Sequence, residues 1–137
     1  MARILIIDDY EPFRSSTQDL LEAAGHRVTT AADGVVGVQQ FQEGPFDLVI
    51  SDLFMPNKDG LETIGDILRI SPETPIISTT GYEASPVPHG DTIAAKYLHA
   101  AREFGATHTL VKPFEPEKLL ALVAECLQEK ALASRIR

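Results

Sequence analysis

The stretch that decides the fold is LVISDLFMPNKDG, residues 48–60. It opens with a short apolar run, and that run ends in the carboxylate of Asp52. An apolar run of this length, bounded by turn residues, predicts a buried strand of a parallel sheet. Pro56, Asn57, Asp59 and Gly60 then predict a turn into a helix. We therefore expect Asp52 at the carboxyl edge of the sheet, where open α/β folds bind their ligands.

An aspartate in this position also has a simpler interpretation. By itself, an acidic residue after a strand more often caps the helix that follows it, because its side chain accepts a hydrogen bond from a free backbone N–H group. Other residues of the sequence are needed to distinguish a capping role of Asp52 from a functional one.

Four further segments have the composition of strands, and they lie at residues 3–8, 27–31, 75–81 and 107–111. Apolar residues at helical spacing follow each of them, most clearly Leu119, Leu122, Val123, Cys126 and Leu127 in the last helix. The alternation predicts an α/β protein with right-handed crossovers and helices on both faces of the sheet. We predict a flavodoxin-like (βα)5 fold whose five-stranded parallel sheet has the order 2-1-3-4-5, with residues 27–31 near an edge.

Length and composition indicate one globular domain. The 137 residues contain no repeat and no linker, so we place the domain at residues 1–130 and a short C-terminal tail at 131–137. One cysteine, Cys126 on the apolar side of the last helix, predicts a core position and a reducing, cytoplasmic compartment. The net charge of −8 argues against direct nucleic-acid binding, and no apolar run is long enough for membrane insertion.

Residues able to carry chemistry follow the predicted strands. Asp8 and Asp9 end the first strand, Asp52 the third and Thr80 the fourth, and Lys112 follows the fifth. Each one also has an ordinary interpretation, as a helix cap, a strand-end hydroxyl or a solvated lysine. Because the carboxyl ends of parallel strands meet at one edge, however, we expect these side chains to converge.

The convergence predicts a particular chemistry. Three crowded carboxylates repel one another unless a cation neutralises them, and oxygen ligands of this kind suit Mg²⁺. A carboxylate beside that metal can accept a phosphoryl group. Thr80 and Lys112 would then bind the phosphoryl oxygens.

Four motifs make the chain resemble a receiver domain of the response regulators of two-component signalling, of the stand-alone kind. The motifs are Ile6-Ile7-Asp8-Asp9, Asp52-Leu53-Phe54-Met55-Pro56 with Asp59-Gly60, Pro75-Ile76-Ile77 leading to Thr80-Gly81, and Val111-Lys112-Pro113-Phe114. They extend from residue 4 to about residue 127, which is nearly the whole chain.

The resemblance implies that Asp52 accepts its phosphoryl group from a histidine kinase or a histidine phosphotransfer protein. It implies a Mg²⁺ site with Asp9 as a direct ligand, Asp8 as a neighbour acting mostly through water, Asp52, and the backbone carbonyl of Phe54. Thr80 would be the switch hydroxyl and Lys112 the phosphate partner. The protein would pass its signal to a downstream effector protein. It would catalyse only its own phosphorylation and slow autodephosphorylation.

The resemblance also implies a cis peptide bond between Lys112 and Pro113. Two features depart from the family pattern. Thr109 stands where the family usually has an aromatic residue three positions before the lysine, so this position supplies no ring to couple to Thr80. The segment from Tyr82 to Asp91 is longer than usual, and it is interpreted equally well as part of the signalling surface or as a tolerated surface insertion.

Two other functions stay open from the sequence. A phosphohydrolase of the haloacid-dehalogenase type also uses an aspartate nucleophile and Mg²⁺, but it expects a second aspartate where this chain has Phe54. The other alternative is a receiver-like interaction module that is never phosphorylated, against which the complete set of site residues argues. The four histidines, His26, His89, His99 and His108, show no metal-ligand spacing. If residue 137 is the natural end, the protein acts alone through protein contacts.

Overall fold

The computed structural model describes residues 2–53, 55, 58–80, 99–112 and 114–136. Its strands are β1 (Arg3–Ile7), β2 (Arg27–Ala31), β3 (Leu48–Asp52), β4 (Ile76–Thr80) and β5 (His108–Val111). Its helices are α1 (Glu11–Ala23), α2 (Gly34–Glu43), α3 (Gly60–Ile70), α4 (residues 99–103) and α5 (Pro116–Ile136). The loop predicted at 82–91 and the first part of the predicted fourth helix lie outside the described residues.

The strands form one sheet in which every pairing is parallel. Their order is β2-β1-β3-β4-β5, so the predicted fold and the edge position of residues 27–31 are confirmed. β1 and β3 are neighbours in the middle of the sheet, with Ile7 opposite Ser51. The first and third strands therefore deliver the residues that follow them to adjacent places on the same edge.

Side chains from the two faces of the sheet form two apolar clusters, as alternation along a strand requires. On one face, Ile4, Ile6, Leu48 and Ile50 pack with residues of α1 and α5. On the other face, Leu5, Ile7 and Val49 pack with residues of α2 and α3. Because both faces are covered, the central strands are continuous apolar runs and not alternating ones.

The N-terminal caps of α1 and α3 show whether the aspartates at the strand ends act as helix caps. The α3 cap is Asp59, whose Oδ1 accepts a hydrogen bond from the Glu62 N–H group at 2.9 Å. The α1 cap is Tyr10, which makes no side-chain capping bond. Asp8, Asp9 and Asp52 therefore occupy neither of these cap positions, and the capping interpretation of all three is wrong.

Helix α5 is longer than the sequence suggested. We predicted a tail from residue 131, whereas the helix continues to Ile136. Ala131, Leu132 and Ala133 favour helix and no glycine or proline interrupts them, so propensity carries the helix onward. Lys130 also contacts Asp47 (Nζ to Oδ1, 3.3 Å), which ties this part of α5 to the start of β3.

Cys126 lies in the core, as predicted, and its side chain is buried against the sheet. Burial raises the pKa of its thiol to about 12, and the nearby carboxylates of Glu129 and Glu125 act in the same direction. A folded-state pKa above the unfolded value means that the thiol supports stability below pH 9.0 and that this support is lost as pH rises toward 12.

We expect Cys126 to react with a disulfide reagent at pH 8 at least about tenfold more slowly in the native protein than in urea, because burial both disfavours the thiolate and blocks access to the sulfur. The measurement is the rate of thiol modification followed by absorbance. Equal rates in the two conditions would show that the thiol is exposed or freely ionised.

Two glycines of α3 offer a matched test of how tightly this helix meets β3. A Cβ atom on Gly60 would lie 2.5 Å from the Asp52 carbonyl oxygen and 2.5 Å from Leu53 Cα, both of which are backbone atoms. A Cβ atom on Gly65 would meet nothing within 4 Å. The Gly60 N–H group donates to the Leu53 carbonyl at 3.0 Å, so the close approach is part of the turn.

We expect Gly60→Ala to lower the free energy of unfolding by about 2–3 kcal/mol, because backbone must move to admit the methyl group. Gly65→Ala should raise it by about 0.5–1 kcal/mol through helix propensity. Urea unfolding of both variants makes the comparison. Equal effects of the two substitutions would contradict the close contact at Gly60.

Among the residues that the structure describes, no helix is both long and apolar enough to cross a membrane.

Candidate functional site

Three carboxylates meet at the carboxyl edge of the sheet. Asp8 and Asp9 follow β1 and Asp52 ends β3, and one oxygen of each lies within 4.8 Å of the other two. Asp8 and Asp52 are buried, whereas Asp9 is exposed. The group thus has a deep part and an open mouth, and the exposed carboxylate stands on the solvent side.

Asp8 makes a hydrogen bond through each of its two carboxylate oxygens and through its backbone carbonyl. Its Oδ1 accepts a hydrogen bond from the Tyr10 N–H group at 2.9 Å, and its Oδ2 lies 2.6 Å from Lys112 Nζ. Its backbone carbonyl accepts a hydrogen bond from Arg14 Nη1 at 2.7 Å. These contacts fix the turn between β1 and α1, and they anchor Asp8 as the main partner of the lysine.

Asp52 lies beside this pair with its carboxylate almost fully covered. Its Oδ1 accepts a hydrogen bond from the Leu53 N–H group at 2.9 Å, and its Oδ2 lies 3.8 Å from Lys112 Nζ. Lys112 therefore stands between two carboxylates but much nearer to Asp8. One ammonium against three carboxylates leaves the site with a formal charge of −2, which favours a further cation.

Thr80 ends β4 next to this group. It is fully buried, and its hydroxyl has no hydrogen-bond partner among the described residues. The Lys112 N–H group donates to the Thr80 carbonyl at 2.7 Å, so the backbones of these two residues adjoin. A buried hydroxyl without a partner costs free energy, so the Thr80 O–H group is available to donate a hydrogen bond to a ligand oxygen or a water molecule.

Thr109 lies where the family pattern has an aromatic residue. It pairs with Ser78 in the β4–β5 register and is half-buried. Its side chain is too short to fill the space of a ring. The fold therefore offers no substitute at this position for the aromatic side chain that the family usually has. Phe54, Pro113 and the segment from Tyr82 to Asp91 lie outside the described residues, and so do the predictions made for them.

The carboxylate group meets the requirements of a Mg²⁺ site. Its donors are hard oxygen atoms from three aspartates, and Mg²⁺ is typically held by one or two carboxylates with water and phosphate completing the shell. The exposed position of Asp9 leaves room for such exchangeable ligands. Asp8, Asp9 and Asp52 are the residues that could hold the ion.

A second group of potential ligands was not visible in the sequence. His108 of β5 comes within 4.8 Å of Glu125 and Glu129 of α5, measured between ligand atoms. The two glutamates are one helical turn apart, but nothing in the spacing of the histidines predicts that β5 lies beside them. His108 Nε2 is 3.9 Å from Glu129 Oε1, and this contact is an ion pair only when the imidazole is protonated.

The comparison that decides the family is a match to the response regulator receiver domain over residues 4–124. The chain belongs to that family. Receiver domains are the signalling modules of two-component systems, so the predicted family and fold are confirmed together. The match covers every strand of the sheet except the first residue of β1, Arg3. It also includes all six predicted site positions, Asp8, Asp9, Asp52, Phe54, Thr80 and Lys112.

Individual relatives agree with this assignment. The receiver domain is similar to the chemotaxis protein CheY of Thermotoga maritima, with 31% identity over 121 residues that cover 86% of this chain and 91% of that protein. A solved response regulator receiver domain protein from Clostridium thermocellum superposes with a TM-score of 0.85 at 28% identity, covering 97% of this chain and 99% of that one.

Other relatives are much longer than this receiver domain. The transcriptional regulatory protein ZraR of Klebsiella oxytoca is 32% identical over 130 residues, which are 95% of this chain but only 27% of that protein. The chain thus spans about a quarter of the length of that relative. Receiver domains occur both alone and within larger proteins.

Proposed function

We propose that this receiver domain accepts a phosphoryl group on Asp52 from a histidine-phosphorylated partner, with Mg²⁺ at the site, and thereby switches a protein-interaction surface. The observation that carries the proposal is the meeting of Asp8, Asp9, Asp52 and Lys112 at one edge of the sheet. Residues far apart in the sequence supply a nucleophile, a charge-balancing group and an oxygen-rich cation site in one place.

Asp52 is the nucleophile in this proposal. One of its carboxylate oxygens attacks phosphorus, a new oxygen–phosphorus bond forms, and the nitrogen–phosphorus bond of the partner's phosphohistidine breaks with its electron pair returning to the imidazole nitrogen. The burial of Asp52 supports this role, because only a small donor group entering from the mouth can reach the carboxylate.

Lys112 and Thr80 would bind the oxygens of the transferred group. The Lys112 ammonium already lies 3.8 Å from Asp52 Oδ2, so a small movement brings it to an oxygen attached to that residue. The Thr80 hydroxyl is buried and lacks a partner among described residues, so a phosphoryl oxygen would satisfy it. Asp8 and Asp9 would hold Mg²⁺, which supplies positive charge near the transferring phosphoryl group.

The signal would leave through the side of the sheet that carries β5. Thr80 is the last residue of β4 and adjoins Lys112, so its movement toward a phosphoryl oxygen acts on the residues after both strands. Val111, the last residue of β5 and the neighbour of Lys112, is an exposed apolar residue that suits contact with a protein partner. Phe104, which precedes β5, is exposed as well. Thr109 offers no ring, so we propose that the switch works through Thr80 and the backbone beside it.

We further propose a histidine kinase or histidine phosphotransfer protein as the donor and an effector protein as the recipient of the signal. The cytoplasm is the compartment in which we place these exchanges. The formal net charge of −8 supports protein partners over nucleic acid, whose phosphates would repel such a surface.

The test is incubation with phosphoramidate and Mg²⁺, followed by intact mass and by phosphate release. We expect one lasting phosphoryl adduct per chain that is lost slowly after the donor is removed. Continuous phosphate release at many turnovers would instead indicate a phosphohydrolase. No adduct and no release would indicate an interaction module that is not phosphorylated.

A further inference from the structure

An aromatic residue contacts the lysine of the site. The ring of Phe13 in α1 lies under the Lys112 ammonium, with Nζ 4.0 Å from the ring centroid. Lys112 is largely buried, with 16% of its side chain exposed, so little water intervenes to screen the attraction between the ammonium and the ring face. This contact is close enough to act on the position of the ammonium.

The ring of Phe13 is itself held in place. Phe114 packs its ring against that of Phe13 with centroids 5.9 Å apart and planes inclined at 85°, an edge-to-face arrangement that aromatic pairs favour. Phe114 belongs to the apolar cluster under α1 and α5. Both rings are half-buried, and the contact with Phe114 fixes the orientation in which Phe13 presents its face to Lys112.

Binding of a cation would weaken the attraction between Lys112 and its charged partners. Its closest carboxylate oxygen, Asp8 Oδ2 at 2.6 Å, belongs to the group that can hold a divalent cation. A carboxylate engaged by such a cation attracts the lysine less. The ring of Phe13 carries no formal charge and cannot bind Mg²⁺, so its attraction for the ammonium does not depend on the state of the aspartates.

We infer that Phe13 is a positioning residue for Lys112, holding the ammonium at the site through its ring face when the aspartates are occupied by a cation and Lys112 turns to a phosphoryl oxygen. The inference rests on the proposed function and names a further residue of the same site. Phe13 touches neither the reacting carboxylate nor the donor in this account, and it acts only through the lysine.

The test compares variants that separate the effect of the aromatic ring from the effect of side-chain size. Phe13→Leu keeps an apolar side chain without a ring face, Phe13→Tyr keeps the ring, and Phe13→Met is a second ringless variant should the leucine variant fold poorly. We expect the phosphorylation rate with saturating phosphoramidate and Mg²⁺ to fall about threefold to tenfold in the ringless variants. The tyrosine variant should stay within about twofold of wild type.

Two readouts besides the rate keep the outcomes distinct. In the unphosphorylated protein, the ring face should shift the Lys112 ε-methylene proton resonances upfield, and the ringless variants should lose this shift. Mg²⁺ affinity should be the same in all variants, since Phe13 does not contact the carboxylates in this account. A wild type that takes no phosphoryl group would overturn the proposed function, whereas the upfield shift tests the contact separately.

The role of Phe13 is overturned if the ringless variants are phosphorylated at the wild-type rate, or if Phe13→Tyr is as slow as Phe13→Leu. A loss of Mg²⁺ affinity in parallel with the rate would also overturn it, because the residue would then act on the carboxylates. Retained rate in the tyrosine variant, with the resonance shift lost only in the ringless variants, would establish it.

Discussion

Asp52→Asn is expected to leave no detectable phosphorylation by phosphoramidate, while the protein stays folded. The amide has nearly the shape of the carboxylate, but its oxygen carries no full negative charge and is a poor nucleophile. The side chain is almost fully buried and its Oδ1 accepts the Leu53 N–H group, a bond that an amide oxygen can also accept. Intact mass after incubation measures the result.

Stability supplies the control for this variant. Removing one of three crowded carboxylates relieves repulsion, so the free energy of unfolding should be unchanged or raised by about 1 kcal/mol. Asp19→Asn is the matched substitution, because Asp19 is an exposed aspartate on α1, and it should be phosphorylated like wild type. Full labelling of the Asp52 variant would mean that another residue is the acceptor.

The second large effect concerns Asp9. Asp9→Asn should weaken Mg²⁺ binding by on the order of 100-fold, because it removes a full negative charge from the group that would hold a divalent ion. At Mg²⁺ concentrations below saturation, phosphorylation should fall in the same proportion. Raising the Mg²⁺ concentration should restore part of the rate, since Asp52 and Lys112 remain in place.

Calorimetric titration with Mg²⁺ and the phosphorylation rate across a range of Mg²⁺ concentrations measure these two quantities. Asp19→Asn is again the control, with the same change of charge on an exposed part of α1. Unchanged Mg²⁺ affinity in the Asp9 variant would remove this residue from the ion site, and a lower rate that Mg²⁺ cannot restore would assign it a different role.

The architecture of the site could be predicted because it depends on local patterns. Apolar runs marked the strands, turn residues marked their ends, and parallel strands must present those ends at a common edge. From these facts alone, Asp8, Asp9, Asp52 and Lys112 were expected together, and the structure brings their side chains into one group. The Asp52 and Asp9 variants test the predicted roles of these residues as phosphoacceptor and metal ligand.

One local pattern predicts the wrong helix end, and another allows two roles for the same residue. The end of α5 was placed too early because its apolar periodicity fades after Leu127, although helix propensity continues to Ile136. A strand-end aspartate and a helix cap have the same sequence signal, which is why the sequence near Asp52 alone allows both roles. Only the turn itself shows that Asp59 holds the cap position.

What the sequence by itself determined is the order of elements, the burial of the central strands and the edge at which the chemistry lies, since periods of 2 and 3.6 residues are properties of short segments. Only the tertiary structure decided which groups touch. Three contacts depend on side-chain packing between elements that are distant in the chain. They are the close pairing of Lys112 with Asp8, the position of the Phe13 ring beneath Lys112, and the approach of His108 to Glu129. Such contacts follow from how helices lie on the sheet, and no local pattern records them.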